Sequence, residues 1–172
     1  MKRMIKVVVL ALVLATASVT GVQAFDSVTP AEAYTLATSD PNVYILDVRT
    51  LAEWQWVGHP GKNKLGEGAA LAGKVVNISY QIENKGTMIV NPSFLNEINE
   101  LFGGNPDAVL IAMCRSGQRS SAAAAVLEGA GYLVLNMVNG FEGGTDARGY
   151  RKVSGWTNNG LPYTYSGAGY AD

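Results

Sequence analysis

The sequence predicts an α/β fold built on a mainly parallel sheet, and three observations carry that prediction. Four short apolar runs, at 43–48, 75–78, 108–113 and 133–138, have the length and composition of strands. Segments with helix-start signals or helical spacing lie between them, the alternation expected of βαβ units. Charged or reactive residues follow two of the runs: Asp47 and Arg49 at the end of one, Cys114 at the end of another. In open α/β sheets, ligands bind beyond the carboxyl ends of the strands.

Each element has its own signal. Thr29-Pro30-Ala31-Glu32 is a helix start: a capping hydroxyl, a proline at the first helical position and a glutamate where a capping box needs one. That helix is expected to reach about Ala37. The run at 43–48 is almost continuously apolar, as in a strand covered on both faces. Leu51 to Trp56 reads as a short helical turn. Residues 58–73, rich in glycine and lysine, read as an exposed loop. Asn91-Pro92 opens a helix with Phe94, Leu95, Ile98 and Leu101 on one face, and Gly103-Gly104-Asn105-Pro106 closes it. An alanine-rich helix follows Cys114 and stops at Gly129 and Gly131. The segment from Asn139 onward has many glycines, tyrosines and asparagines but little periodicity. With no internal repeat and no linker composition, one domain is the expectation.

The first 24 residues read as a signal peptide. A basic start (Lys2, Arg3, Lys6) precedes an uncharged apolar run, and Val22-Gln23-Ala24 offers small residues at cleavage spacing. The apolar run is short for a membrane span, so no stable insertion is expected after cleavage. The expectation is an exported, periplasmic protein whose domain occupies 25–172. The leader holds three of the 13 basic residues and none of the 14 acidic ones, which leaves the rest mildly acidic. That balance argues against nucleic acid as a partner.

Cys114 is the only cysteine, so an internal disulfide is excluded. It sits where a strand turns into a helix, facing the unpaired N–H groups and the positive dipole end of that helix. Arg115 and Arg119 add positive charge, Ser116-Gly117 permits tight curvature, and Gln118 and Ser120 add neutral donors. Successive amides there can form an anion-binding nest. Such a site favours a thiolate over an inert buried thiol. A thiolate attacks sulfane sulfur readily, which gives a two-step scheme needing no metal and no cofactor.

At this point the sequence resembles a known family. Cys114-Arg115-Ser116-Gly117-Gln118-Arg119-Ser120 is similar to the active-site loop of rhodanese-like sulfurtransferases. Leu46-Asp47-Val48-Arg49 with Glu53-Trp54 and Gly58-His59 resembles the family's early motif. Asn136 to Phe141, and Gly155-Trp156 with Gly160-Leu161-Pro162, resemble its later ones, in the family's order. The resemblance implies a rhodanese-like domain with a roughly five-stranded parallel sheet and helices on both faces. It implies a persulfide on Cys114 cradled by the amides of Arg115, Ser116, Gly117, Gln118, Arg119 and Ser120. It also implies that Asp47 and Arg49 support the pocket. The implied partners are a small sulfur anion donor, thiosulfate or polysulfide, and an external thiol, cyanide or protein acceptor.

Related dual-specificity phosphatases place their arginine one position further from the cysteine, where this chain has Ser120; a shorter loop encloses a smaller anion. A sulfane-sulfur carrier with little turnover, or a thiol redox sensor, would use the same motif. The separation between Gly58-His59 and the strand at 75–78 is longer than relatives show, so the 58–73 insert is expected to line the active site, cover it or build a partner surface. His59 reads as structural, and Trp54, Trp56 and Trp156 as core or edge packing.

Overall fold

The computed structural model describes residues 26–165; the expected leader and residues 166–172 lie outside them. Five parallel strands form the central sheet in the order β1-β8-β7-β2-β4. These are β1 (Ser27–Val28), β2 (Val43–Asp47), β4 (Val75–Asn77), β7 (Val109–Met113) and β8 (Leu133–Met137). The four strands expected from sequence are all present. The fifth, β1, pairs in parallel with β8 through Ser27↔Asn136 and Val28↔Met137.

Side chains alternate across β2 and β7, as a pleated strand requires. Leu46 and Leu110 face one core, whereas Val43, Ile45, Ile111 and Met113 face the other. The first core is closed by α3 (Phe94–Phe102) and α4 (Gln118–Gly129) through Phe94, Ile98, Phe102, Ala123 and Leu127. The second is closed by α1 (Pro30–Ser39) through Ala33 and Ala37, with Leu71, Phe141 and Trp156. The sheet is therefore covered on both faces, the architecture the resemblance implied.

The first helix starts where its signal places it, whereas α3 starts at Phe94 with Ser93, not Asn91-Pro92, at the cap position. Thr29 and Glu32 form the expected capping box of α1 with Pro30 at its first turn, and α1 runs two residues past Ala37. The turn expected at 51–56 is a helix, α2 (Leu51–Val57), with a second capping box between Thr50 and Glu53. In α3 the buried face is Phe94, Ile98 and Phe102; Leu95 and Leu101 are exposed instead. Phe102 fits the i, i+4, i+8 spacing from Phe94 better than Leu101 does.

Two further expectations need correction. The 58–73 segment is not simply an exposed loop, because both its ends are packed. Gly58, His59 and Pro60 are buried, and β3 (His59–Pro60) pairs antiparallel with β11 (Tyr163–Thr164). His59 also stacks on Trp54 at 3.6 Å. A short 3-10 helix (Ala69–Leu71) then buries Leu71 in the second core. Trp56, by contrast, is 82% exposed, whereas Trp54 and Trp156 are buried. Finally, residues 81–90 form a hairpin that the sequence reading passed over, β5 (Gln81–Asn84) against β6 (Thr87–Val90). Its two-residue turn is Lys85-Gly86, both in the left-handed region at φ 51° and 81°. The segment after Asn139 also folds, as the pair β9 (Gly144–Thr145) and β10 (Arg151–Val153).

Candidate active site

The carboxyl ends of β2 and β7 lie side by side, and the Val48 N–H donates to the Met113 carbonyl at 2.8 Å. This bond sets Asp47 and Arg49 beside Cys114. From there the chain turns through Arg115-Ser116-Gly117 into α4. Gly117 is in the left-handed region at φ 98°, and an added Cβ would stand 3.1 Å from the Asn139 N. A side chain at that position is disfavoured by conformation and by space.

The turn brings the Gly117 N–H to the sulfur: it donates to Cys114 Sγ at 3.1 Å. The Ser120 hydroxyl lies 3.5 Å from Sγ and 3.1 Å from the Gly117 carbonyl, so its single proton serves one or the other. Among the described residues, no backbone carbonyl accepts from the N–H groups of Arg115, Ser116, Gln118, Arg119 or Ser120. These amides, at the amino end of a 12-residue helix, carry the partial positive charge that suits an anion.

The outer wall of the loop is held from β8 onward. The Phe141 N–H donates to the Cys114 carbonyl at 2.8 Å, and the Glu142 and Gly143 N–H groups donate to the Arg115 carbonyl at 3.0 and 3.2 Å. Gly140 makes this approach possible, because a Cβ there would run into the Cys114 carbonyl.

Cys114 itself is 1% exposed and packs in the first core with Leu46, Val48 and Leu110. Sequence context set a reactive thiol against a buried one, and the structure places this thiol in the core. Its side chain is walled by apolar groups on one side and meets polar donors on the other.

The remaining predicted residues divide. Ser120 is buried at the sulfur, and Ser116 is half-buried in the turn. Arg115 and Gln118 are exposed. Arg119 is held by a carboxylate from another helix. Its Nη1 and Nη2 donate to Glu53 Oε2 and Oε1 at 2.7 and 2.6 Å. Asp47 and Arg49 are fully buried and paired, with Nε to Oδ1 at 2.9 Å and Nη2 to Oδ2 at 2.5 Å. Arg49 Nη2 also donates to the Gly58 carbonyl at 2.7 Å, and the guanidinium lies 4.2 Å over the Phe141 ring. Burial alone would push the Arg49 guanidinium down, but the Asp47 charge and hydrogen bonds outweigh it and hold it up.

Glu53 is the residue that sequence reasoning missed as a site component. In the sequence it stood only within the motif pair Glu53-Trp54. Burial alone would raise its carboxyl, but the hydrogen bonds and charge of Arg119, with the Thr50 N–H and hydroxyl, outweigh it and hold the carboxyl at about 2. A depressed carboxyl stabilises the fold above its unfolded value near 4.5, and that stability is lost as pH falls toward 2. We therefore expect Glu53→Gln to lower stability by about 1–2 kcal/mol at pH 7, after discounting for partial solvent screening. The gap from the unsubstituted protein should close below pH 3. Urea unfolding of both proteins across pH 2.5–7 checks this, and a gap that widened in acid would contradict it.

The 58–73 insert turns its tip elsewhere. A groove of about 560 Å³ runs between Asn63-Lys64-Leu65 and the segment at 157–165, and Cys114 and its loop do not line it.

A single cysteine held by helix-terminal amides, at the carboxyl edge of a five-stranded parallel sheet, defines a thiol-centred α/β domain. A family model described as Rhodanese-like domain matches residues 29–147, and the chain belongs to that family. It is similar to an uncharacterized protein of Rickettsia conorii, 31% identical over 135 residues that make up 78% of this chain and 93% of the relative. It is 33% identical over 95 residues to thiosulfate sulfurtransferase 18 of Arabidopsis thaliana, covering 55% of this chain and 60% of the relative. Among solved structures, Rv0390 from M. tuberculosis superimposes with a TM-score of 0.66 at 34% identity, covering 82% of this chain and 98% of that one.

Proposed function

We propose that this protein is a sulfurtransferase that moves sulfane sulfur from thiosulfate or polysulfide to a thiophilic acceptor through a persulfide on Cys114. The observation that carries the reading is the Gly117 N–H on Sγ at 3.1 Å, at the head of α4, beside further amides that no backbone carbonyl claims among the described residues. In the first step the Cys114 thiolate attacks the outer sulfur of thiosulfate. A new S–S bond forms at Sγ, the sulfur–sulfur bond of the donor breaks, and its electron pair leaves with sulfite. The outer sulfur, now a persulfide anion, lies against the free amides of the loop, which stabilise the charge without reorganising. In the second step an external nucleophile, such as a thiolate or cyanide, attacks that outer sulfur and the electron pair returns to Sγ. Cys114 has no partner cysteine, so the acceptor comes from outside the chain. The basic, apolar and small-residue leader supports export to the periplasm as the setting for this chemistry.

Mass spectrometry of the intact protein after incubation with donor tests the proposal. One added sulfur on the peptide carrying Cys114, removed by cyanide, is the expected result. If neither thiosulfate nor polysulfide adds sulfur, the proposal fails.

A further inference from the structure

The fork between Glu53 and Arg119 joins two elements that the chain keeps 66 residues apart, and its consequence reaches beyond stability. Arg119 is one of two arginines in the loop that surrounds the sulfur, and the other, Arg115, is exposed. Both terminal nitrogens of Arg119 are engaged by Glu53, at 2.7 and 2.6 Å. The pair is only partly open to water, with about a fifth of each side chain exposed, at 23% and 21%. The Glu53 carboxylate is itself anchored, because it also accepts from the Thr50 N–H and hydroxyl at the start of α2.

We infer that Glu53 is a positioning residue that withholds the Arg119 guanidinium from the sulfur pocket and so weakens the pocket's hold on phosphate, an anion with no sulfane sulfur to give up. A guanidinium fork is the group best matched to two oxygens of a phosphate or sulfate. With that fork already filled by a carboxylate, the cradle is left with backbone amides and the Ser120 hydroxyl. These donors suit one compact charge on sulfur. The inference builds on the anion-cradle reading of the loop and adds the residue that tunes it. It also gives the oxyanion product of the first step, sulfite, no strong clamp to hold it after the S–S bond breaks.

Inorganic phosphate is the probe. Its binding to the full chain is measured by titration calorimetry for the unsubstituted protein, Glu53→Gln, and Glu53→Gln with Arg119→Gln. Glutamine keeps the capping-box geometry at Thr50 while removing the charge that holds Arg119. Glu53→Gln is expected to bind phosphate about tenfold more tightly than the unsubstituted protein, the scale of one freed charge-assisted contact. The double variant is expected to lose that gain. Equal or weaker phosphate binding by a folded Glu53→Gln protein overturns the inference, as does a gain that survives in the double variant. Should Glu53→Gln fail to fold, Glu53→Asp, which keeps the charge but shortens the reach, is expected to show a smaller gain, and no gain there counts against the inference equally. Phosphate binding needs no sulfur chemistry, so this result stands apart from whether Cys114 accepts sulfur.

Discussion

Replacing Cys114 by serine is expected to reduce sulfur transfer from thiosulfate or polysulfide by at least ~1,000-fold, and to abolish the persulfide mass adduct, while leaving the fold intact. A serine hydroxyl is a far weaker nucleophile than a thiolate and cannot store a sulfane sulfur in exchangeable form. The structural cost is small. Serine retains an acceptor for the Gly117 N–H that now meets Sγ at 3.1 Å, so that amide is not orphaned. What is lost is packing against Leu46, Val48 and Leu110, in a site that is 1% exposed. A loss of less than about 2 kcal/mol follows. Steady-state transfer to cyanide, with the thermal midpoint measured on the same preparation, checks both halves. Residual transfer near the unsubstituted rate in a folded variant would remove Cys114 from the mechanism.

The largest effect on stability is expected at Asp47. Asp47→Ala leaves Arg49 fully buried without its counter-charge, and the Gly58 carbonyl then remains as its principal hydrogen-bond partner. Arg49 Nη1 already lacks a hydrogen-bond partner among the described residues, so there is little spare capacity to absorb the change. Removing one member of a buried pair typically costs about 3–5 kcal/mol, which for a chain of this size lowers the thermal midpoint on the order of 10 °C. Changing both residues, Asp47→Leu with Arg49→Met, is expected to recover most of that loss, since apolar side chains of similar volume often replace a buried pair without penalty. The double variant also separates scaffold from chemistry. Persulfide formation restored along with stability makes the pair a support for the β2–β7 edge; stability restored without it gives the pair a direct part in the pocket.

The parts of the fold written in local sequence were legible. The apolar runs of β2 and β7 are strands because both faces of the sheet are covered, and a doubly buried strand needs no alternation. The capping residues Thr29 and Glu32 mark a helix start by chemistry that acts within one turn. The cysteine loop was legible for the same reason, since the glycine, the serines and the helix that follow Cys114 are its immediate neighbours. What escaped was set at long range or by very short segments. β1 pairs through only two residues, too few to show a period. The β5–β6 hairpin has four-residue strands that are mostly exposed, so its alternation carries no hydrophobic contrast, although Lys85-Gly86 is a turn signal. The partner of Arg119 could not be read from the loop, because Glu53 belongs to another helix and meets it only once β2 and β7 lie side by side. The burial of Cys114 escaped likewise: polar neighbours in sequence say nothing of the core that Leu46, Val48 and others from distant parts of the chain build around it.

The short edge strand β1 has a geometric consequence. It runs parallel to β8, so chain preceding Ser27 enters the sheet at the amino ends of the strands. Cys114 follows the carboxyl end of β7, at the opposite pole. A five-residue strand spans about 16 Å, so the point of attachment and the Cys114 sulfur are separated by roughly the depth of the sheet. Whatever is joined ahead of Ser27 is attached at the amino ends of the strands, and Cys114 lies at their carboxyl ends. A purification tag or surface linker joined at this end is therefore attached at the edge of the sheet opposite Cys114.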